Sequence, residues 1–318
     1  MNRGLEQSNK IYVAGHCGLV GSAVTSLLHR KGFDNVVIRT RSQLDLRDQR
    51  AVDEFFHAEQ PDVVVFAAAK VGGIKANNDY PVEFLLDNLQ IQNNAIRAAH
   101  EHGTRKFLFL GSSCIYPRDA PQPIPESALL TGPLERTNES YAVAKITGIK
   151  LCQAYSREYG DNFVSAMPSN LYGPNDNFDL QSSHVLAALI RRAHEAKMAG
   201  AGELVLWGTG TPRREFLHVD DLASAVLFLL RNYDSPQIIN VGSGEDLTVK
   251  ELGELICDIV GFNGELTFDD SKPDGTPRKL LDVSKLNALG WRPKIRLREG
   301  VEQTYRWYLD NVAPASRP

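Results

Sequence analysis

Ile11-Tyr12-Val13-Ala14-Gly15-His16-Cys17-Gly18-Leu19-Val20-Gly21 is the stretch whose reading decides the fold. Four apolar residues suited to a buried strand run straight into a GxxGxxG turn, and the residues from about 20 to 30 carry a helical pattern. In such a unit the first glycine, Gly15, permits the tight turn, and Gly18 lets a pyrophosphate approach the backbone. Gly21 allows close packing of the helix, whose N-terminus supplies N–H groups and a positive dipole beside Leu19 and Val20. Plain strand-to-helix turns also carry glycines, so the surroundings have to decide between the two readings.

Outward from the turn, apolar runs at 36–38, 63–66, 107–110 and 163–167 predict four further strands. Helices are expected over about 49–58 and 82–102, and again from Tyr141 onward. A loop rich in proline (Pro117, Pro121, Pro123, Pro125, Pro133) precedes that last helix. The strands are continuous apolar runs without polar alternation, which indicates a parallel sheet covered on both faces. The expected fold class is α/β, a Rossmann-like doubly wound parallel sheet with a smaller C-terminal substrate-binding lobe. Beyond residue 168 the pattern predicts helices at about 185–198, 219–230, 249–260 and 298–311, and strands at 204–206 and 238–239. The expected division is 8–170 plus about 215–242 for the nucleotide-binding domain, and about 171–214 plus 243–318 for the lobe.

The 318 residues carry a net charge of −4, which offers no footprint for nucleic acid or an acidic membrane surface. No apolar run approaches the roughly 20 residues of a membrane span, and the opening MNRGLEQSNK is polar. The cysteines Cys17, Cys114, Cys152 and Cys257 form no CxxC pair, so no metal site or disulfide framework is expected and a reducing cytoplasm is the natural setting.

The end of the second strand, Ile38-Arg39-Thr40-Arg41, lacks the acid that usually holds a free ribose 2′-hydroxyl. Arg39 or Arg41 instead suits a 2′-phosphate, which favours NADP(H), and Asp45 suits an adenine-edge contact. Tyr141-Ala-Val-Ala-Lys145 places a phenol and an ammonium on one helix face. An ammonium near a phenol is expected to lower its pKa toward neutrality for proton transfer, and the lysine can also hold the nicotinamide ribose. Ser112, at the end of the fourth strand, can bond the same substrate carbonyl oxygen. If 112–114 continue as extended strand, Cys114 points where Ser112 points. There it is either a proton-transferring thiol or a small buried hydrophobe.

Longer motifs carry a resemblance. Ala67–Ile74 (AAAKVGGI), Leu110–Pro117 (LGSSCIYP), Pro168–Pro174 (PSNLYGP), Trp207–Pro212 (WGTGTP), Arg214–Asp220 (REFLHVD) and Lys272–Leu281 (KPDGTPRKLL) resemble the GDP-L-fucose synthase family of extended short-chain dehydrogenases. The likeness runs in order from about residue 10 to 311. It implies an NADPH-dependent, homodimeric 3,5-epimerase and 4-reductase acting on GDP-4-keto-6-deoxy-D-mannose. By the same resemblance Cys114 and His184 form the epimerising base–acid pair, and Ser112, Tyr141 and Lys145 are the reductase triad. Leu110, Pro168, Asn170 and Leu171 line the cofactor, while Arg192, Trp207, Arg214 and Asp274 bind the GDP-sugar.

The chain also departs from the family pattern. Cys17 stands where the phosphate turn usually carries an arginine, so NADPH preference rests more heavily on Arg39 or Arg41. Ser140 replaces a common proline, Ser169 a usual threonine, and 177–183 differs just before His184. These changes leave room for a related GDP-sugar enzyme acting on a 3,6-dideoxy (colitose) or 6-deoxy-heptose precursor. A GDP-mannose 4,6-dehydratase would need an acid and a carboxylate where Cys114 and Ile115 stand. A nicotinamide-sensing binding protein would not need the intact triad.

Overall fold

The computed structural model describes residues 5–180, 182–272 and 274–313. β1 (Ile11–Ala14) is buried throughout and turns at once into α1 (Leu19–Arg30). Then come β2 (Val36–Val37), α2 (Gln49–Glu59), β3 (Val63–Phe66), a short α3 (Ile74–Asp79) and α4 (Pro81–Glu101). β4 (Lys106–Leu110), α5 (Glu139–Tyr159), β5 (Phe163–Pro168), β6 (Asn170–Tyr172) and α6 (Val185–Met198) follow. The remaining elements are β7 (Glu203–Trp207), β8 (Arg213–His218), α7 (Val219–Asn232), β9 (Ile239–Val241) and β10 (Asp246–Thr248). Last are α8 (Val249–Val260), β11 (Glu265–Asp269), β12 (Arg278–Lys279), α9 (Ser284–Ala288) and α10 (Leu297–Asn311).

Six parallel strands form the main sheet in the order β2-β1-β3-β4-β5-β9. The apolar runs in these strands require cover on both faces, and they have it. On one side Val13, Val65 and Leu108 pack with Val24 and Leu28 of α1 and Leu222 and Val226 of α7. On the other, Tyr12, Phe66 and Phe109 pack with Phe56 of α2, Ile96 of α4 and Ile149 of α5. The expected strand at 238–239 is the sixth member of this sheet. The strand order reverses between β1 and β3, and at such a switch point the loops part at the carboxyl ends of the strands and leave a crevice.

A third core joins α6, α8, α10 and the β7–β11 pair, through Leu186, Leu206, Leu252 and Tyr308. β8 lies between β10 and β12, and β6 pairs with it as well. The charged start of β8 hides this strand from a search for apolar runs, yet its last four residues are buried. Leu286 and Trp291, from the stretch expected in the lobe, join the core beside α7, where Trp291 Nε1 donates to Ser224 Oγ at 3.2 Å. Residues 314–318 of the expected lobe, and Gln181 and Pro273 within the quoted motifs, lie outside the described residues. Among the described residues no helix is long and apolar enough to cross a membrane, and no cluster of His, Cys, Asp or Glu could hold a metal ion.

Candidate active site

The glycine turn divides its labour as its spacing implies. Gly15 has φ +86°, and a Cβ there would come within 2.9 Å of the Ala67–Ala68 backbone after β3. A Cβ on Gly21 would stand 2.1 Å from the Gly15 carbonyl oxygen, so the start of α1 packs directly on the turn. Gly18 differs, because its Cβ would meet only that oxygen, at an ordinary 3.5 Å. The protein itself does not need a glycine at 18, which leaves the space above it for a ligand. No side chain caps α1, so its first-turn N–H groups at Leu19, Val20 and Gly21 face the same space. This cradle fits a dinucleotide pyrophosphate. Cys17 is exposed beside it, with Sγ 3.3 Å from His16 Nε2.

The two candidate arginines are held differently. Arg39 donates to Glu59 at 2.5 Å and to the Ile38 carbonyl at 2.8 Å, and lies over the Phe55 ring. Arg41 is 72% exposed and has one long contact, 3.8 Å to Asp45. Asp45 itself takes a forked bond from Arg47, down to 2.7 Å, and its hydrogen bonds with Arg47 hold its carboxyl at about 2.

α5 brings the triad to the carboxyl end of β4. Gly148 lets the helix lie against the Phe109 ring, where a Cβ would stand 2.5 Å away, and Gln92 of α4 donates to the Ala144 carbonyl at 2.7 Å. Lys145, 3% exposed, donates to the Leu110 carbonyl at 2.8 Å. Its ammonium sits 5.8 Å over the Tyr141 ring and 4.8 Å over that of Phe109. Burial brings Lys145 down to about 8. Burial also raises the Tyr141 phenol, and the Cys114 charge raises it further. The expected lowering of the phenol by Lys145 is therefore corrected: the ammonium engages a carbonyl and ring faces, and Tyr141 stands ready as a protonated acid.

Ser112 and Cys114 meet by a route other than the expected one. Residues Ser113–Ile115 form a 3-10 turn and do not continue the strand. Ser112, in extended backbone, caps this turn by accepting from the Cys114 N–H at 3.3 Å. The thiol stays beside the serine, and burial pushes it up while the charge of Lys279 and the Ser112 hydrogen bond pull it back. His184 occupies the residue before α6, without a capping bond. His184 is an exposed residue, although protein atoms crowd its ring. Crowding and the Lys279 charge lower its pKa. The loop after β3 sets its position: Gly73 N–H donates to the Ser182 carbonyl at 3.0 Å, and a Cβ on Gly73 would press on the Ser183 oxygen at 2.8 Å.

The lobe residues gather around β7, β8 and the loop before β12. Arg192 donates to the Val205 carbonyl of β7, two residues before Trp207, which is 60% exposed. Arg214 donates to the Asp274 carbonyl at 3.2 Å. The Asp274 carboxylate takes the Thr209 N–H at 2.8 Å and its hydroxyl at 2.9 Å, and so fixes the turn after Trp207. Asn170 is turned to β8, donating to the Glu215 carbonyl at 2.7 Å, and Leu171 and Pro168 lie on either side of it in β6 and β5.

Two groups escaped the sequence reading. Lys279 acts electrostatically on both Cys114 and His184. Its signal was strand alternation within a motif that reads as a loop. Asp176, whose Oδ1 accepts from Asn177 N at 2.7 Å and whose Oδ2 is buried without a hydrogen bond, is raised by burial to about 7. It has no sequence signal beyond its place ahead of His184.

Residues 11–242 match the model of the NAD dependent epimerase/dehydratase family. GDP-L-fucose synthase 1 of Arabidopsis thaliana is 61% identical over 96% of this chain and 95% of its own length. GDP-L-fucose synthase of Escherichia coli is 52% identical over 95% of this chain and 97% of its own. The crystal structure of a GDP-L-fucose synthetase from Naegleria fowleri bound to NADP superposes with a TM-score of 0.90 at 30% identity, covering 99% of this chain and 98% of that one. A Rossmann-like parallel sheet that opens on a glycine turn and this likeness over nearly the whole length agree: the chain belongs to the NAD dependent epimerase/dehydratase family, in its GDP-L-fucose synthase branch.

Proposed function

We propose that this enzyme converts GDP-4-keto-6-deoxy-D-mannose to GDP-L-fucose with NADPH, epimerising C3 and C5 and then reducing C4. The observation that carries this reading is a thiol, Cys114, set among the reductase residues Ser112, Tyr141 and Lys145. A plain ketone reductase has no use for a second proton-transfer group there. NADPH, when bound, supplies the hydride for C4. The uncapped start of α1 and the space over Gly18 would hold its pyrophosphate, and Arg41 its 2′-phosphate. Lys145, fixed by the Leu110 carbonyl, stands where it can hold the ribose.

The 4-keto group acidifies the C–H bonds at C3 and C5. Cys114 and His184 are the base and acid that exchange those protons, one on each face of the sugar. Ser112 and the Tyr141 hydroxyl donate to the ketone oxygen and stabilise the enolate's negative charge. At the reduction step Tyr141 releases its proton to the C4 oxygen. Arg192, Trp207, Arg214 and the loop fixed by Asp274 receive the GDP portion, with an arginine fork for the diphosphate. The enzyme works as a homodimer in the cytoplasm. Val82 and Leu86 of α4 and Val143 of α5 expose apolar side chains that a second copy covers.

Offering the enzyme GDP-4-keto-6-deoxy-mannose or its 3-deoxy counterpart, each with NADPH, tests the choice of sugar. We expect one NADPH consumed per GDP-L-fucose formed, and slower turnover of the 3-deoxy compound. Preference for the 3-deoxy compound would reassign the enzyme to colitose-type chemistry.

A further inference from the structure

Phe84 of α4 is 2% exposed, yet it joins none of the three hydrophobic cores. A large ring buried apart from every core acts on its own few neighbours. The first is Tyr141. The two rings meet edge to face, at 81° with centroids 6.5 Å apart, within the range over which aromatic pairs attract. The second is the loop after β3, which runs past the tip of the ring: a Cβ on Gly72 would stand 3.0 Å from Phe84 Cζ. The Lys70 ammonium of the same loop lies 5.8 Å from the ring centroid.

Loop and helix are tied to each other. Asn88, one turn along α4 and 2% exposed, accepts from the Lys70 N–H at 2.8 Å and donates to its carbonyl at 3.0 Å. Its amide also donates to the Phe84 carbonyl at 2.7 Å. The Asn77 amide donates to the Gly72 and Gly73 carbonyls at 2.7 and 3.0 Å, so the loop at the ring's tip is held as well. The Tyr141 side chain, by contrast, makes no hydrogen bond among the described residues. Its hydroxyl is left for a ligand, and its direction is set through its ring, by Lys145 at 5.8 Å and by Phe84. A phenol pivots about two side-chain bonds, and its oxygen, farthest from the backbone, moves most.

We propose that Phe84 is a positioning residue for the reaction, its ring bracing the Tyr141 phenol so that the hydroxyl stays aimed at the ketone oxygen. This rests on Tyr141 as the proton donor of the reduction proposed above. Without the ring the hydroxyl samples other directions and spends less time within reach of that oxygen. The cofactor cradle of α1 and the arginines of the lobe stand on other elements, so binding is kept and turnover falls.

The test is Phe84→Leu in the full-length enzyme labelled with 3-fluorotyrosine, the Tyr141 fluorine signal being assigned by its loss in Tyr141→Phe. With no substrate present, we expect that signal to shift and broaden in Phe84→Leu, as a held ring begins to sample several orientations. With the GDP-4-keto sugar and NADPH, kcat should fall roughly 10–100-fold while both KM values hold, the upper figure being the cost of a misplacement of about 1 Å. Phe84→Tyr keeps the ring and extends its tip into the space that Gly72 leaves by lacking a Cβ, and should restore kcat. Thermal melting confirms that each variant folds, and Phe84→Met carries the same readings should Phe84→Leu not fold. An unmoved Tyr141 signal in Phe84→Leu overturns the proposal whatever the sugar proves to be. A lower melting temperature with kcat intact also overturns it, since the ring would then only fill space. Full turnover in Tyr141→Phe would instead defeat the reading of Tyr141 as the donor, and the fluorine signal would still judge whether Phe84 holds the phenol.

Discussion

At single residues, the same environment acts on several groups with different results. Burial raises the Tyr141 phenol and lowers Lys145 to about 8, so the pair begins as a neutral acid beside an ammonium that can lose its proton. Replacing Tyr141 by Phe should lower turnover by roughly 10²–10⁴-fold, the usual worth of a placed proton donor, with NADPH binding kept. Arg39 is committed to Glu59, whereas among the described residues Arg41 has only its long contact with Asp45. Arg41→Ala should therefore raise the KM for NADPH by tenfold or more, from the loss of about 1.5–3 kcal/mol of charged contact, and leave that for NADH unchanged. Equal effects on the two cofactors would remove Arg41 from the 2′-phosphate. The placement of Ser112 just after β4, of Tyr141 and Lys145 on α5 and of His184 just before α6 was legible from the sequence. The partner of Arg39 was not, because Glu59 lies twenty residues away on α2 and periodicity carries no such contact.

At the scale of elements, the phosphate turn offers a pair of substitutions that separate folding from binding. Gly21→Ala forces a Cβ to within 2.1 Å of the Gly15 oxygen and should cost about 1–3 kcal/mol of stability, the usual toll of overpacking. Gly18→Ala meets nothing closer than 3.5 Å, so its melting temperature should hold while NADPH affinity falls. A drop in melting temperature for Gly18→Ala would mean that the glycine serves packing instead. Glu215 ties three segments together, accepting from Gly244 N and Leu281 N at 2.8 and 2.9 Å and from the Ser243 hydroxyl at 3.4 Å. Glu215→Gln would set an amide donor against an N–H, and thermal melting should report about 1–3 kcal/mol lost. The sheet strands were legible because each is an apolar run. β6, β8, β10 and β12 were not, since they are short and polar and owe their form to pairing with one another. The turn at Ser113–Ile115 was misread as extended for a related reason, because Ser112 caps it through a side-chain bond that alternation cannot anticipate.

In the whole molecule, β8 links the main sheet to the lobe: it pairs with β6, which follows β5, and with β10 and β12, and it carries Arg214. The doubly wound sheet could be inferred from chain order alone. The return of Leu286 and Trp291 to the core beside α7 could not, because it depends on packing far along the chain. With Val82, Leu86 and Val143 exposed on α4 and α5, sedimentation should find a dimer, and Leu86→Lys should shift it toward monomer. A monomer in the unaltered protein would remove the dimer from the proposal. The central claim is that one cleft performs both epimerisation and reduction, with Cys114 exchanging protons before Tyr141 completes the alcohol. The most direct measurement is turnover of GDP-4-keto-6-deoxy-mannose with NADPH in D2O, for the unaltered enzyme and for Cys114→Ser. The prediction is GDP-L-fucose carrying deuterium at both C3 and C5 from the former, with exchange reduced roughly 10²–10⁴-fold in the latter. Reduction at C4 with no deuterium at either carbon, or exchange undiminished in Cys114→Ser, would contradict it.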